Sequence, residues 1–271
     1  MTKALEQSEK KLSAEVAREV RDAYAALPGE PAVAVRSSAT AEDLPGLSFA
    51  GQQETFLNVR GAEAVLDAMK RCWASLWTSR AIDYRAQHDV ETEGVGMAVV
   101  VQLLVPAESA GILFTAHPIT GRRDQVVINA SWGLGEAIVA GQVTPDTLIL
   151  DKGDRRVASR EINDKTVMTV RSDDGSEEQP VPNELRRRPA LDDGAATELL
   201  ALADRIEALY GQPMDIEWAR AEGRIAILQA RPITALPEPS AAPPSSWDVP
   251  EGHMYFRASA IELLPNPLSP L

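Results

Sequence analysis

The sequence predicts an α+β domain of mixed sheets with packed helices. Three observations carry that prediction. Apolar residues recur at helical spacing in three stretches, around 13–27, 62–87 and 197–210. Between the second and third lie four short β-branched runs bounded by Pro, Gly and Asp, at 97–105, 110–116, 124–131 and 146–152. A hairpin pattern then follows, with "MDIEWA", a turn at "RAEG" and the return run "RIAILQARPIT". Strands mixed with helices in this way build a layered α/β or α+β domain.

In chain order, Ser13 to Leu27 reads as an amphipathic helix with Leu12, Val16, Val20 and Leu27 near one face, stopped by Pro28, Gly29 and Pro31. "AVAV" reads as a short buried strand ending at Arg36. Ala62 to Gln87 reads as one long helix, its Val65, Met69, Trp73, Leu76 and Trp77 assigned to core, with Cys72 a small buried hydrophobe among them. After the four strand runs, Gly133-Leu134-Gly135-Glu136 interrupts the pattern before a short helical run. Residues 153–195 are polar and read as a solvated hairpin and loop, most loop-like at "RSDDGSEEQPVPNE". Thr197 to Tyr210 is a helix with a buried stripe of Leu199, Leu202, Ala203, Ile206, Leu209 and Tyr210, and Gly211 as its C-cap. "PEPSAAPPSS" at 237–246 is a Pro/Ser linker, and 247–271 begins another unit.

Composition narrows the functions. The chain has 271 residues, 44% hydrophobic and 25% charged, enough to bury a core without staples. Its net charge of −13 argues against a nucleic-acid backbone binder but leaves room for a local anion site. The one cysteine allows no internal disulfide and fits a reducing, cytoplasmic setting. No run of about 18 apolar residues is present to cross a membrane. Arginine outnumbers lysine, as phosphate binding or GC-rich coding would both give.

Two stretches carry chemistry. Strand alternation sends Asp215 and Glu217 one way, and Met214, Ile216 and Trp218 the other. On the return strand the same alternation groups Ile225, Ile227, Gln229 and Arg231. Carboxylates facing an amide and a guanidinium suit Mg²⁺ with a polyphosphate, since hard Mg²⁺ takes one or two carboxylate oxygens plus phosphate oxygens. The same pattern suits a plain Glu–Arg ion pair on a solvated face, and pattern alone favours that. In "VAVRSSATAEDLPGLSFAGQQETFLNV", Arg36 closes an apolar strand, and Ser37, Ser38 and Thr40 follow. Small hydroxyls and backbone N–H groups suit phosphate oxygens, and Pro45-Gly46 and Gly51 supply hinges for a phosphate lid.

Five blocks then resemble one family: "AVRSSATAEDLPGLSFAGQQETFLNV", "RCWASLWTSRAIDYR", "GILFTAHPITG", "SWGLGEAIVAGQVTPD" and "DIEW…ILQARPIT". They are similar, in order over about 12–234, to the ATP-binding region of phosphoenolpyruvate synthase (pyruvate, water dikinase), pyruvate phosphate dikinase and the rifamycin-phosphorylating enzymes. The resemblance implies an ATP-grasp-like fold closing on MgATP, with ATP and Mg²⁺ as cofactors. It implies that Arg36, Ser37, Gln229 and Arg231 meet phosphate, and that Arg36 and Arg231 stabilise phosphoryl charge. It places Mg²⁺ on Glu217 and Gln229 with Asp215, and adenine along Gln102, Leu103 and Leu104.

The resemblance also implies an ATP-dependent phosphotransferase with paired acceptors, passing the β-phosphoryl group of ATP to a histidine domain. The family's glycine-rich "GGKG"-like segment, its phosphohistidine domain and its substrate domain have no counterpart in these residues. The expectation is a first lobe incomplete in 1–236, weak nucleotide binding, and no turnover by the chain alone. None of His88, His117 and His253 lies in a "GGxxSH"-like context, and His117 reads as a loop residue. The tail "YFRASAIELLPNPLSPL" resembles the entry to the central domain of the rifamycin enzymes. The alternatives are a rifamycin phosphotransferase and a non-catalytic nucleotide-binding remnant.

Overall fold

A computed structural model describes residues 12–39, 55–87, 96–139, 141–172, 175–233 and 236–237. Thr40, Pro45, Gly46, Gly51, His88, His253, the 238–246 part of the linker and the 247–271 unit lie outside the described residues.

The first lobe is a three-stranded antiparallel sheet backed by helices. Helix α1 (Ala14–Ala25) starts where the Ser13 hydroxyl accepts from Val16 N at 3.2 Å. Strands β1 (Val33–Ala39), β2 (Thr55–Val59) and β3 (Met97–Leu103) take the order β2-β1-β3. Helices α2 (Ala62–Ser75) and α3 (Ser79–Gln87) stand where the periodicity suggests one. The break has a local cause: the Thr78 hydroxyl donates to Ser75 O at 3.0 Å and accepts from Ala81 N at 3.3 Å, closing one helix and capping the next. Val33 and Val35 pack with Ala17, Tyr24, Val65, Leu66, Met69 and a buried Cys72. Tyr24 ties the lobe's connections, donating its hydroxyl to Pro31 O and accepting from Gly61 N.

The second lobe is a six-stranded antiparallel sheet. It contains β4 (Ser109–Phe114), β5 (Gln125–Trp132), β6 (Asp146–Asp151), β7 (Val157–Glu161), β10 (Met214–Ala221) and β11 (Arg224–Pro232), in the order β11-β10-β4-β5-β6-β7. The short α4 (Glu136–Val139) follows the glycine interruption, and β8 (Val167–Ser172) pairs with β9 (Gly175–Pro180). After α5 (Asn183–Arg186), helix α6 (Asp193–Tyr210) covers one face of the large sheet, packing Ala196, Leu199, Leu200 and Ala203 on Leu113, Ile128, Leu148, Ile216 and Trp218. A Cβ at Gly111 would sit 1.8 Å from Asn129 O and 2.8 Å from the Trp218 indole, so only glycine leaves room there for both.

Three expectations are corrected here, the first being Trp77, which is exposed rather than core. Leu209 and Tyr210 are exposed rather than part of the α6 stripe, which keeps Leu199 and Ala203 and is completed by Ala195, Ala196 and Leu200. Residues 153–195 are not simply solvated, since they hold β7, β8, β9 and α5 and a fully buried Lys165. Lys165 Nζ donates to Asp146 Oδ1 at 2.5 Å and to Asn163 O at 3.1 Å. Asp146 also accepts from Asn163 N and Ala190 N, so the buried carboxylate is satisfied on both oxygens.

Removing one partner strands the other charge. Lys165→Ala is expected to cost about 3–5 kcal/mol in urea unfolding. Asp192 caps α6 by accepting from Ala195 N at 2.8 Å, and that hydrogen bond lowers its carboxyl below the usual range. Asp192→Ala is expected to cost about 1 kcal/mol at neutral pH. A depressed folded pKa gives stability that is present above the unfolded value and lost as pH falls through the folded one. The deficit of the variant should therefore close in acid.

Candidate functional site

The β10–β11 hairpin turns at Glu222 and Gly223, both with left-handed φ of 51° and 73°. Such a tight turn fixes the register of the two strands. Asp215 stands opposite Arg231 and Glu217 opposite Gln229, so all four share the face turned away from α6. The register shifts between Glu217 and Trp218, whose partner is Ile227, leaving Leu228 as the extra residue of a bulge. That bulge corrects the grouping drawn from alternation. Ile225 and Ile227 join the core beneath α6, while Gln229 and Arg231 stay on the carboxylate face.

Arg231 Nε donates to Asp215 Oδ2 at 3.0 Å, and its Nη2 lies 2.9 Å from the same oxygen in an ion pair. Burial pushes the Asp215 carboxyl up, Arg231 pulls it back down, and Glu217 adds to the rise. The second cation comes from the other lobe: Arg36 Nη2 donates to Glu217 Oε2, with both side chains half-buried. A second link lies beside it, where Gln102 Nε2 donates to Leu228 O at 3.2 Å, on the bulge itself. The candidate site therefore sits where the small sheet meets the edge of the large one.

Most of the residues singled out in the sequence converge here, and some do not. Arg36, Asp215, Glu217, Gln229 and Arg231 come together, with Gln102 alongside. Ser37 follows Arg36 onto the opposite face of β1, with Val35, whereas Ser38 shares the face of Arg36. Leu103 is exposed, and Leu104 N donates to Ala32 O at 2.9 Å, so its amide is spent within the lobe. Sequence reasoning missed Thr55, which stands directly across from Arg36 on β2. The signal was the Thr55 that opens β2, legible only once β1 and β2 are known to pair. His117 is a turn residue between β4 and β5: its Nδ1 accepts from Ile119 N and Thr120 N, both at 3.3 Å.

Among the described residues, no three or more His, Cys, Asp or Glu side chains group to hold a metal. Two carboxylates and an amide oxygen make a partial, all-oxygen set. Such a set fits Mg²⁺, which completes its shell with phosphate and water oxygens. The neighbouring guanidiniums fit the phosphate that would accompany it. No helix of the described residues is long and apolar enough to cross a membrane.

Two lobes meeting over a face of carboxylates and arginines define an ATP-grasp-like nucleotide-binding domain. The chain belongs to the family described as "Pyruvate phosphate dikinase, AMP/ATP-binding domain", which it matches over residues 4–248. It is 52% identical over 206 residues to the probable phosphoenolpyruvate synthase of Methanothermobacter thermautotrophicus, covering 76% of this chain and 30% of that protein. It is 44% identical over 245 residues to the phosphoenolpyruvate synthase of Pyrococcus furiosus, covering 85% and 30%. The rifampicin phosphotransferase of Streptomyces sviceus is 43% identical over 241 residues, covering 89% and 27%. The chain thus spans about 30% of the length of such relatives.

Truncating the two ends of the inter-lobe ion pair separates its tasks. Arg36→Ala is expected to weaken ATP binding about tenfold, the loss of a charge-assisted hydrogen bond, and to leave adenosine binding unchanged. Glu217→Ala should remove the Mg²⁺ dependence of nucleotide binding at a stability cost of no more than about 1 kcal/mol. Calorimetric titration and urea unfolding read the two effects. Unfolding by Glu217→Ala with nucleotide affinity intact would reduce the pair to a structural one.

Proposed function

We propose that this chain is the ATP-binding part of a phosphoenolpyruvate synthase-like phosphotransferase, a pyruvate, water dikinase. The observation that carries the reading is the meeting of Arg36, Glu217, Gln229 and Arg231 on one face between the lobes, in a chain of the AMP/ATP-binding family. The phosphates of ATP lie along this face. Arg36 and Arg231 donate to phosphoryl oxygens and offset the charge that gathers there. Glu217 and the Gln229 amide oxygen hold Mg²⁺, with Asp215 beside them. A cation held there would supply electrostatic stabilisation of the phosphate charge. Opening of the Arg36–Glu217 pair would free Arg36 to donate to phosphate and Glu217 to hold the cation. Ser37, on the face of β1 opposite Arg36, is left out of the phosphate end. Gln102, Leu103 and Leu104 border the adenine along the small sheet. Catalysis at such a site is positioning and electrostatics.

The β-phosphoryl group passes to a histidine of a phosphohistidine domain, and from there to pyruvate bound by a substrate domain. ATP, pyruvate and water give phosphoenolpyruvate, AMP and phosphate, in the cytoplasm. Phosphoenolpyruvate synthases at 44–52% identity and rifampicin phosphotransferases at 43–48% overlap, so the final acceptor is decided by transfer of label rather than by identity.

Mixing the chain with the histidine-bearing part of a phosphoenolpyruvate synthase and ATP labelled at the β-phosphorus tests this. Acid-labile label is expected on the added histidine, and in phosphoenolpyruvate once pyruvate is supplied. Label on His117 of this chain would contradict the route. Label passing to rifampicin and not to pyruvate would reassign the acceptor.

A further inference from the structure

We propose that the β8–β9 hairpin is a clasp, latched by Asn58, that gates entry to and release from the cleft between the lobes. What passes the gate rests on the ATP-binding reading, whereas the opening and closing of the clasp does not.

The lobes are joined along one edge of the small sheet and clasped along the other. In the order β2-β1-β3, strand β3 runs on through residues 104–108 into β4, and Gln102 of the same strand donates to Leu228 O. Any parting of the lobes therefore turns about the β3 edge. β2 lies at the opposite edge, about 10 Å away at the usual strand spacing, so it must travel furthest. There β2 packs against β9, and Asn58 Nδ2 donates to Ser172 O at the end of β8.

The hairpin itself is held by the large lobe. Leu134 N donates to Thr169 O at 2.8 Å, which pins β8 beside the end of β5. Ser176 Oγ donates to Glu136 Oε2 at 2.8 Å, which pins β9 to α4. The hairpin therefore moves with the large sheet, and its contact with β2 is the one that parts when the lobes do.

The sequence prepares Asn58 for this contact. Val33 pairs with Val59 and Val35 with Phe56, so Leu57 and Asn58 together oppose Ala34 in a bulge. Asn58 takes a left-handed φ of 57°, which asparagine tolerates better than most residues. The bulge takes Asn58 out of the alternation of β2 and lets its amide reach the hairpin. The side chain is 5% exposed, yet its Oδ1 has no partner among the described residues. Closing the clasp thus gains a hydrogen bond and hides an unmatched acceptor, which water would satisfy on opening. A contact so balanced suits a latch. The Lys165–Asp146 pair, with both carboxylate oxygens satisfied, is built as a permanent tie. Asn58 also lies apart from the charged face. Weakening the latch therefore favours opening equally with and without a ligand, which speeds passage and leaves affinity alone.

The test uses the whole chain and two variants. Asn58→Gly removes the amide at a φ that glycine adopts freely, and Asn58→Asp turns the donor into a carboxylate facing Ser172 O. Nitroxides on cysteines introduced at the exposed Arg60 and Glu178 report the separation across the clasp by pulsed electron paramagnetic resonance. Both variants are expected to raise the population of the longer separation about three- to tenfold without nucleotide. Stopped-flow fluorescence of MgADP carrying a methylanthraniloyl group should show association and release both faster by about the same factor. The dissociation constant should stay within about twofold. Unchanged separations, or unchanged rates in a chain that binds, overturn the proposal. Faster release with unchanged association also overturns it, because Asn58 would then act on bound nucleotide. Should one variant fail to fold by circular dichroism, the other decides; failure of both would make Asn58 a structural residue and overturn the proposal. If the unaltered chain binds no MgADP, the proposed function fails, and the separations alone decide whether the clasp opens.

Discussion

Two carboxylates on one face of one strand, partly withdrawn from water, must be matched by cations. Asp215 and Glu217 are separated by a single residue on β10, and their mutual repulsion adds to the upward pressure on Asp215. At roughly 7 Å and an effective dielectric near 20, two such charges repel by about 2 kcal/mol. Left unmatched, they would favour a flipped or frayed hairpin over the observed one. The arrangement of the surrounding strands supplies the match, and the rest of the site follows from how it does so.

One cation is local and one is remote. Arg231 is delivered by the hairpin turn and its register, which place it across from Asp215 without help from the rest of the chain. Arg36 is delivered by β1, at 181 positions' separation, and reaches Glu217 only because the small sheet lies against the edge of the large one. Gln102 reinforces that approach through Leu228 O, an acceptor on the bulge that also turns Gln229 and Arg231 to the charged face. The bulge therefore serves register and lobe contact together. In the proposed function, a nucleotide phosphate chain with its cation would replace the Arg36–Glu217 contact and leave both charges matched.

The hairpin half of the site was legible in the sequence because strand alternation and a short turn are local rules. Asp215, Glu217, Gln229 and Arg231 could be placed on one face from those rules alone. The bulge at Leu228 could not, since nothing in "IAILQARP" marks which residue is extra. The Arg36–Glu217 contact was equally hidden, because it depends on how two sheets pack rather than on any spacing. Core helices were legible from periodicity, except where a side chain competes with the pattern, as Thr78 does between α2 and α3. Leu209 and Tyr210 fit the stripe of α6 and yet are exposed, since periodicity does not say what lies beneath a helix end. Lys165 reads as a surface residue in a polar stretch, and only Asp146, far enough away to be invisible to local rules, explains its burial.

The central claim is that the charged face between the lobes holds nucleotide phosphate together with a divalent cation. Side-chain nitrogen resonances of the isotope-labelled chain, recorded as Mn²⁺–ADP is added, report on it most directly. Paramagnetic Mn²⁺ at Glu217 and Gln229 should broaden the Gln229 amide and Arg231 guanidinium signals beyond detection, and leave Gln179 on β9 sharp. Saturation with Mn²⁺–ADP while the Gln229 and Arg231 signals stay sharp would contradict the account.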